Sequence, residues 1–432
     1  MSPKHEYGTI ESVEEDEGEL ELEEEGKVTT IELFSDLVMV VSVHTVAEPL
    51  EEEGFTNYGT YLARVFYLWL AWHMITVFMN VSVKQKANNC PVFTFFLFSW
   101  MAAISQMAKA FNGDEDVSAL KWYLSLRVFE TVIFARQVMT PYYAIKLEDG
   151  TRKLAMSEAW IAGLRKYVPV MVTNLVVCEI IPLTVAILLG DGKTPYFPAV
   201  YASIVMILLV FTIGALRNNL TFDAFDSEHL QERYELITLI FTGELCFAAG
   251  KRGNAVASTC VLIMAFVAYL LTFKSAPRKG HMKFWSRSIL YSMAGLFLYA
   301  GVFCAIPAMG SAFARIIDAD EMKKEGHEQK EGAGGISAGD LLSYSSGAFM
   351  VFTAFINLIN VEQEGKKEIK LVLLKRGLIR LLIGCIILTF PFLIPGDVSL
   401  GGAPVVSILV PLLALTSASI EIWAVGSLKV AL

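Results

Sequence analysis

Glu32, Asp36, His44 and Glu48 punctuate an otherwise apolar stretch, Ile31 to Glu48, at multiples of four residues. On an α-helix a step of four residues advances by only about 40°, so these four and Val40 form one slowly turning stripe. Phe34, Leu37, Val38, Val41 and Val46 fall mostly elsewhere on the same helix and can meet lipid or neighbouring helices. An ionisable group at bilayer depth costs at least about 2.5–3.5 kcal/mol, so it is kept there facing protein or water. Carboxylates beside a histidine are suited to binding cations and passing protons. A plainer arrangement is equally open: Glu32 and Glu48 wet at the two ends, with Asp36 and His44 held by a partner helix.

Other groups could join them. His73 and Asn80 share a helical face with Trp72 and Thr76 nearby. His44 and His73 fall at similar depth in adjacent antiparallel segments. With Asp36 or Glu48 they could relay protons; alternatively, His73 is a buried histidine bonded to a neighbouring helix. His44, Glu48 and His73 could chemically hold a metal, but no pair has metal-motif spacing, and neither metal nor cofactor is expected. Arg127 and Glu130 are three apart and can pair on one face, as a staple or as a counter-charge for Asp36 or Glu244. Glu244 follows Gly243 about midway along an apolar segment. Asn174, Glu179, Asn357 and Asn360 rank second, because amides commonly hydrogen-bond between helices without any ligand. His229, Glu232 and Arg233 read either as part of the pathway or as an interfacial helix start capped by Asp226 or Ser227.

The elements that must position these groups follow from composition. Of 432 residues 54% are hydrophobic and only 18% charged, well below the roughly 25% charged of soluble domains. The spacing of apolar runs predicts an all-α, polytopic membrane protein of about twelve spans. These lie near 30–48, 62–82, 91–111, 119–145, 164–189, 197–216, 232–250, 255–273, 287–308, 340–360, 374–393 and 404–424. Residues 1–27 carry the acidic run Glu11 to Glu25 and read as a disordered tail; residues 315–338 read as a mobile loop. The tail is the opposite of a basic targeting segment, and nothing points to nucleic acid. Six scattered cysteines imply no disulfide framework. Lysine and arginine concentrate on the side of the amino terminus, which places both termini in the cytoplasm and leaves the sequons at Asn80 and Asn219 unglycosylated.

An internal echo appears between Glu32-Leu33-Phe34 and Glu232-Arg233-Tyr234, and again between Ser42-Val43-His44 and Thr242-Gly243-Glu244. Aromatic runs follow both, Phe66 to His73 and Phe266 to Phe273. The echo divides the chain into two parallel six-helix pseudo-repeats, 28–220 and 221–432, with a site expected at their interface.

The same residues resemble the low temperature requirement A (LtrA) membrane family. Its first signature, roughly E-L-F-x-D-L-V-F-V, is matched by Glu32-Leu33-Phe34-Ser35-Asp36-Leu37-Val38-Met39-Val40. Its second, roughly H-x-x-E-R-[FY]-x-x-x-[TV]-I-x-x-G-E-S, is matched at His229, Glu232, Arg233, Tyr234, Gly243 and Glu244. Trp69, Trp72 and Asn80 also look like the family's second helix. Leu245 departs from the family's serine, and His44 stands where a small or amide residue is common. The resemblance implies a polytopic membrane protein with stress or transport roles and no settled substrate.

The reading that unites these features is a transporter or channel for a small ion, coupled to protons through buried carboxylates and histidine on the first helix of each repeat. Its expected partners are membrane lipids, the small ion or solute itself, and further copies of the chain. The alternative is a membrane sensor or assembly scaffold with no transported substrate. An enzyme is not expected: the chain has no nucleophile elbow, metalloprotease helix, phosphate loop or paired-cysteine motif.

Overall fold

The computed structural model describes residues 30–51, 58–83, 91–113, 115–139, 144–146, 152–154, 169, 172–173, 175–189, 227–250, 255–274, 289–324, 336–361, 367–394, 399–400 and 403–429. Within them the chain is helical apart from two short antiparallel pairs. One joins β1 (Ala144–Lys146) to β2 (Arg152–Leu154), the other β3 (Ser399–Leu400) to β4 (Ala403–Pro404). The first helices are α1 (Thr30–Ala47), closed by a 3-10 turn at Glu48–Leu50, α2 (Tyr58–Val83), α3 (Pro91–Asn112) and α4 (Asp116–Met139). A π-helical segment, Leu175–Ile180, runs into α5 (Ile181–Leu189). There follow α6 (Ser227–Gly250), α7 (Ala255–Tyr269) with a π-helical end (Leu270–Lys274), and α8 (Ile289–Lys324). The last three are α9 (Ala338–Val361), α10 (Lys367–Leu393) and α11 (Val405–Lys429).

Five of these helical stretches are long and apolar enough to cross a membrane: Thr30–Leu50, Ala255–Thr272, Ala294–Ala319, Ala338–Asn360 and Val405–Ile422. Their outward faces agree. Leu33, Phe34, Leu37 and Val41 on α1, Phe266 on α7, Phe355 on α9 and Leu412 on α11 are all exposed, an apolar surface that water disfavours and hydrocarbon accepts. The chain is therefore a helical membrane protein. Pro307, Pro391 and Pro411 sit inside helices, as membrane helices allow when neighbours satisfy the freed carbonyls.

Several boundaries move. The segment expected at 119–145 ends at Met139, and Ala144–Lys146 is a strand instead. The ninth segment, expected at 287–308, runs on to Lys324. So 315–324, expected as part of a mobile loop, is helix, and Arg315 Nη1 on it donates to Ile336 O at 3.3 Å. The acidic tail, the span at 197–216, Asn219 and the rest of that loop (325–335) lie outside the described residues.

The core is aromatic. Trp69, Trp72, Trp100, Tyr67, Tyr123, Tyr234, Phe96, Phe111 and Phe241 are all fully enclosed. Helix α1 packs on α2, α3, α6 and α8, and so sits inside the bundle although it comes first in the chain. Along α9 and α10 the backbones approach closely through glycine. A Cβ on Gly347 would stand 2.6 Å from Leu388 Cγ, and one on Gly384 2.9 Å from Val351 Cγ2. Small residues at such crossings allow helices to pack tightly where no hydrophobic effect drives them together.

Candidate functional site

The charged start of α6, expected to end in interfacial water as one alternative, turns His229 and Arg233 inward. His229 and Arg233 are buried, and they meet α1. Arg233 Nη1 donates to Glu32 Oε1 at 3.0 Å, and its Nε donates to Asp36 Oδ2 at 3.1 Å. Nη2 closes the fork on Asp36 Oδ1 and lies 3.4 Å from Ser35 Oγ. His229 Nε2 is 2.9 Å from Glu32 Oε1. From α2, Trp72 Nε1 donates to Asp36 Oδ1 at 2.7 Å, with its ring 5.9 Å from the Arg233 guanidinium carbon. Burial inside an apolar bundle explains this geometry. A desolvated carboxylate is tolerated only when a cation and hydrogen-bond donors meet it.

Further along the same pair of helices, His44 Nδ1 lies 3.0 Å from Glu244 Oε2, with side chains 50% and 14% exposed. The partners rise together in number, Glu32 with His229, Asp36 with Arg233 and His44 with Glu244, so α1 and α6 run parallel. The polar stripe on α1 is thus real but does not stay on one side. The advance of about 40° per four residues carries it from the closed interior at Glu32 and Asp36 to an open edge at His44 and Glu48. Glu48, exposed, accepts from Asn112 Nδ2 at 2.9 Å.

His73 does not meet His44. Its Nδ1 is 2.6 Å from the Tyr234 hydroxyl, and its ring stacks on Trp69 at 5.6 Å. Tyr234 in turn packs edge-on to Trp72 and against Tyr299, so the cluster is walled by aromatic rings. The trio His44, Glu48 and His73, weighed as a metal set, is divided among three different partners. Asn80 is buried on α2 beside Met79, whose sulfur lies 3.8 Å from Arg233 Nη1. Glu232 is half-buried next to Arg233.

Arg127 and Glu130 do pair on one face of α4, but neither reaches Asp36 or Glu244. Arg127 instead faces the π-helical segment, donating from Nε to Glu179 Oε2 at 2.7 Å and from Nη2 to Oε1 at 3.0 Å. Its Nη1 holds Glu130 Oε2. Trp100 Nε1 donates to Glu130 Oε1 at 2.9 Å and the Tyr123 hydroxyl to Glu179 Oε2 at 2.7 Å. Glu179, ranked second by sequence, is therefore the principal partner here. A third buried ion pair had no counterpart in the sequence reading. Arg380 on α10 donates to both oxygens of Glu421 on α11, at 2.9 and 2.7 Å, and to Leu271 O at 3.1 Å. Its signal was present: a lone acid, Glu421, in the apolar run 404–424, and Arg380 set four residues deeper than the Lys375-Arg376 pair in the run 374–393.

Among the described residues, each of the first two clusters holds more carboxylates than arginines. Glu32 and Asp36 set two carboxylates against one permanent cation, Arg233, and Glu130 and Glu179 do the same against Arg127, since arginine stays protonated. In the first, His229 is the group able to hold a balancing proton. An apolar cavity of about 630 Å³ lies elsewhere, between α2, α8 and α9. Tyr58, Phe66, Phe297, Cys304, Tyr344 and Phe352 are among its lining residues, and none of these ionisable groups borders it.

Nothing matches the chain among curated proteins or among solved structures. The family model described as bacterial low temperature requirement A protein (LtrA) matches residues 27–426. That span holds both halves of the α1–α6 seam, the acids Glu32 and Asp36 as well as their partners His229 and Arg233, so the chain belongs to the LtrA family.

Proposed function

We propose that this membrane protein transports a small ion, a cation by the sign of its buried excess charge, and couples that movement to protons. One observation carries the reading: two carboxylates share one arginine in a buried seam between α1 and α6, a set of groups able to take up a proton or small cation. Leaving a buried charge uncompensated costs about 3–5 kcal/mol, so loss and gain of that cation bias how the two helices pack. The half-open pair His44–Glu244, two turns along the same seam, would be where the ion or proton enters from the water side. Parallel packing of α1 and α6, together with the sequence echo, supports two six-helix repeats and about twelve spans, with the seam at the repeat interface. The lysine and arginine distribution supports both termini in the cytoplasm. No chemical step belongs to this reading.

Reconstitution into liposomes, with a pH dye and a panel of imposed K⁺, Na⁺ and Cl⁻ gradients, tests it. The double variant Asp36→Asn, Glu244→Gln should abolish ion-linked proton movement; flux equal to the unmodified protein would refute the proposal. A scaffold or sensor reading also has a specific support, because both Asp36 oxygens are already occupied by Arg233 and Trp72. On that reading no gradient drives any flux, and Asp36→Asn matters only through stability.

A further inference from the structure

We propose that Arg127, Glu130 and Glu179 form a second proton-binding site, in which Glu130 is the carboxylate that takes up and releases the proton. Three observations converge on it. Among the described residues the cluster holds two carboxylates and one arginine, with side chains only 1–7% exposed. A net negative charge so enclosed is balanced most simply by a proton. The two acids are also unequally held. Glu179 accepts three donors, Arg127 Nε and Nη2 and the Tyr123 hydroxyl, whereas Glu130 accepts two, Arg127 Nη1 and Trp100 Nε1. Hydrogen bonds to a carboxylate favour its charged form, so Glu179 keeps its charge and the proton resides on Glu130. Finally, Glu179 sits in the π-helical segment Leu175–Ile180, a distortion that recurs at functional sites.

Access comes along α2. Trp69 Nε1 and Thr76 Oγ1 are buried with no hydrogen-bond partner among the described residues, and they flank His73 on that helix. Buried polar atoms of this kind are ordinarily met by water. His73 interacts electrostatically with Arg127, and its Nδ1 lies 2.6 Å from the hydroxyl of Tyr234, the residue after Arg233 in the chain. The groups facing Glu130 and its partners are thus Arg127 and Tyr123 on α4, Glu179 on the π-helical segment, Trp100 on α3, and Tyr67 and His73 on α2. In the transfer itself a hydronium ion gives its proton to a Glu130 oxygen and leaves as water. The Arg127 Nη1 contact then weakens while the fork on Glu179 holds.

This site deepens the transport reading, yet its test needs no gradient. Infrared difference spectra of the full chain in lipid nanodiscs, recorded between acidic and alkaline buffer, should contain the C=O stretch of a protonated carboxylic acid. Within that region one component should shift in D₂O, be lost in Glu130→Gln and persist in Glu244→Gln, beside the bands of the chain's other carboxylic acids. That component at full size in Glu130→Gln would overturn the proposal. If that variant does not fold, Trp100→Phe serves. Removing the indole donor from Glu130 should displace the band's frequency and its pH midpoint, and an unmoved band would also overturn the site. A Glu130 band in a protein that moves no ion would leave this site standing and end the transport reading.

Discussion

Two seams of this molecule bury arginine for opposite reasons. At α1–α6, carboxylates outnumber arginine: Glu32 and Asp36 share Arg233. Among the described residues at α10–α11, two arginines meet one carboxylate: Arg380 forks onto Glu421, and Arg376, one turn earlier and also buried, interacts electrostatically with the same acid. Arginine keeps its charge at any physiological pH, so the second seam repels a mobile cation and acts as a fixed clamp. The first is built from groups that can take up a proton. The difference separates a structural ion pair from a candidate transport site more clearly than burial does, since both are enclosed to the same degree.

Substitutions at the two seams can break or sharpen that contrast. Arg233→Met should have the largest effect. It leaves two buried acids facing each other, at the upper end of about 3–5 kcal/mol or beyond, read as loss of folded protein in thermal melts of the purified, lipid-bound chain. Arg380→Met should cost less, because Arg376 still interacts electrostatically with Glu421; equal losses would erase the contrast. Neutralising an acid should reverse the order. Glu421→Gln removes the carboxylate onto which Arg380 forks and should cost about 3–5 kcal/mol, whereas Glu32→Gln keeps an acceptor for Arg233 and should cost under about 1 kcal/mol. Trp72→Phe removes one donor from Asp36 and should fall between, at about 1–3 kcal/mol. His44→Gln, at the half-exposed pair, should leave the melt nearly unchanged. Its effect should instead appear as an altered pH dependence of flux.

Much of this was legible from residue type and spacing. Period-four acids in an apolar run pointed to Glu32 and Asp36, the echo between the halves to Glu244, and the family signature to Arg233, because ionisable groups are rare in such segments and therefore informative. What spacing could not supply was the partner. Nothing local distinguishes an Arg127 that meets Asp36 from one that meets Glu179, since the choice depends on which helices touch. The start of α6 misled in the same way: His229 and Arg233 look like a wet helix end until α1 supplies acids to bury them against, while Glu232 stays half-buried. The stripe on α1 also could not tell where its slow rotation would carry it into the open. Trp72, Trp100 and Tyr123 act through single N–H or O–H groups, which hydrophobic patterning counts only as apolar bulk.

The most direct measurement is proton movement into proteoliposomes under an imposed cation gradient. It should be compared among the unmodified chain, Asp36→Asn and Glu48→Gln, all verified as folded and equally incorporated. The account predicts cation-driven proton flux in the unmodified chain and in Glu48→Gln, and none in Asp36→Asn. Flux in Asp36→Asn equal to that of the unmodified chain, or no flux in any of the three, would contradict it.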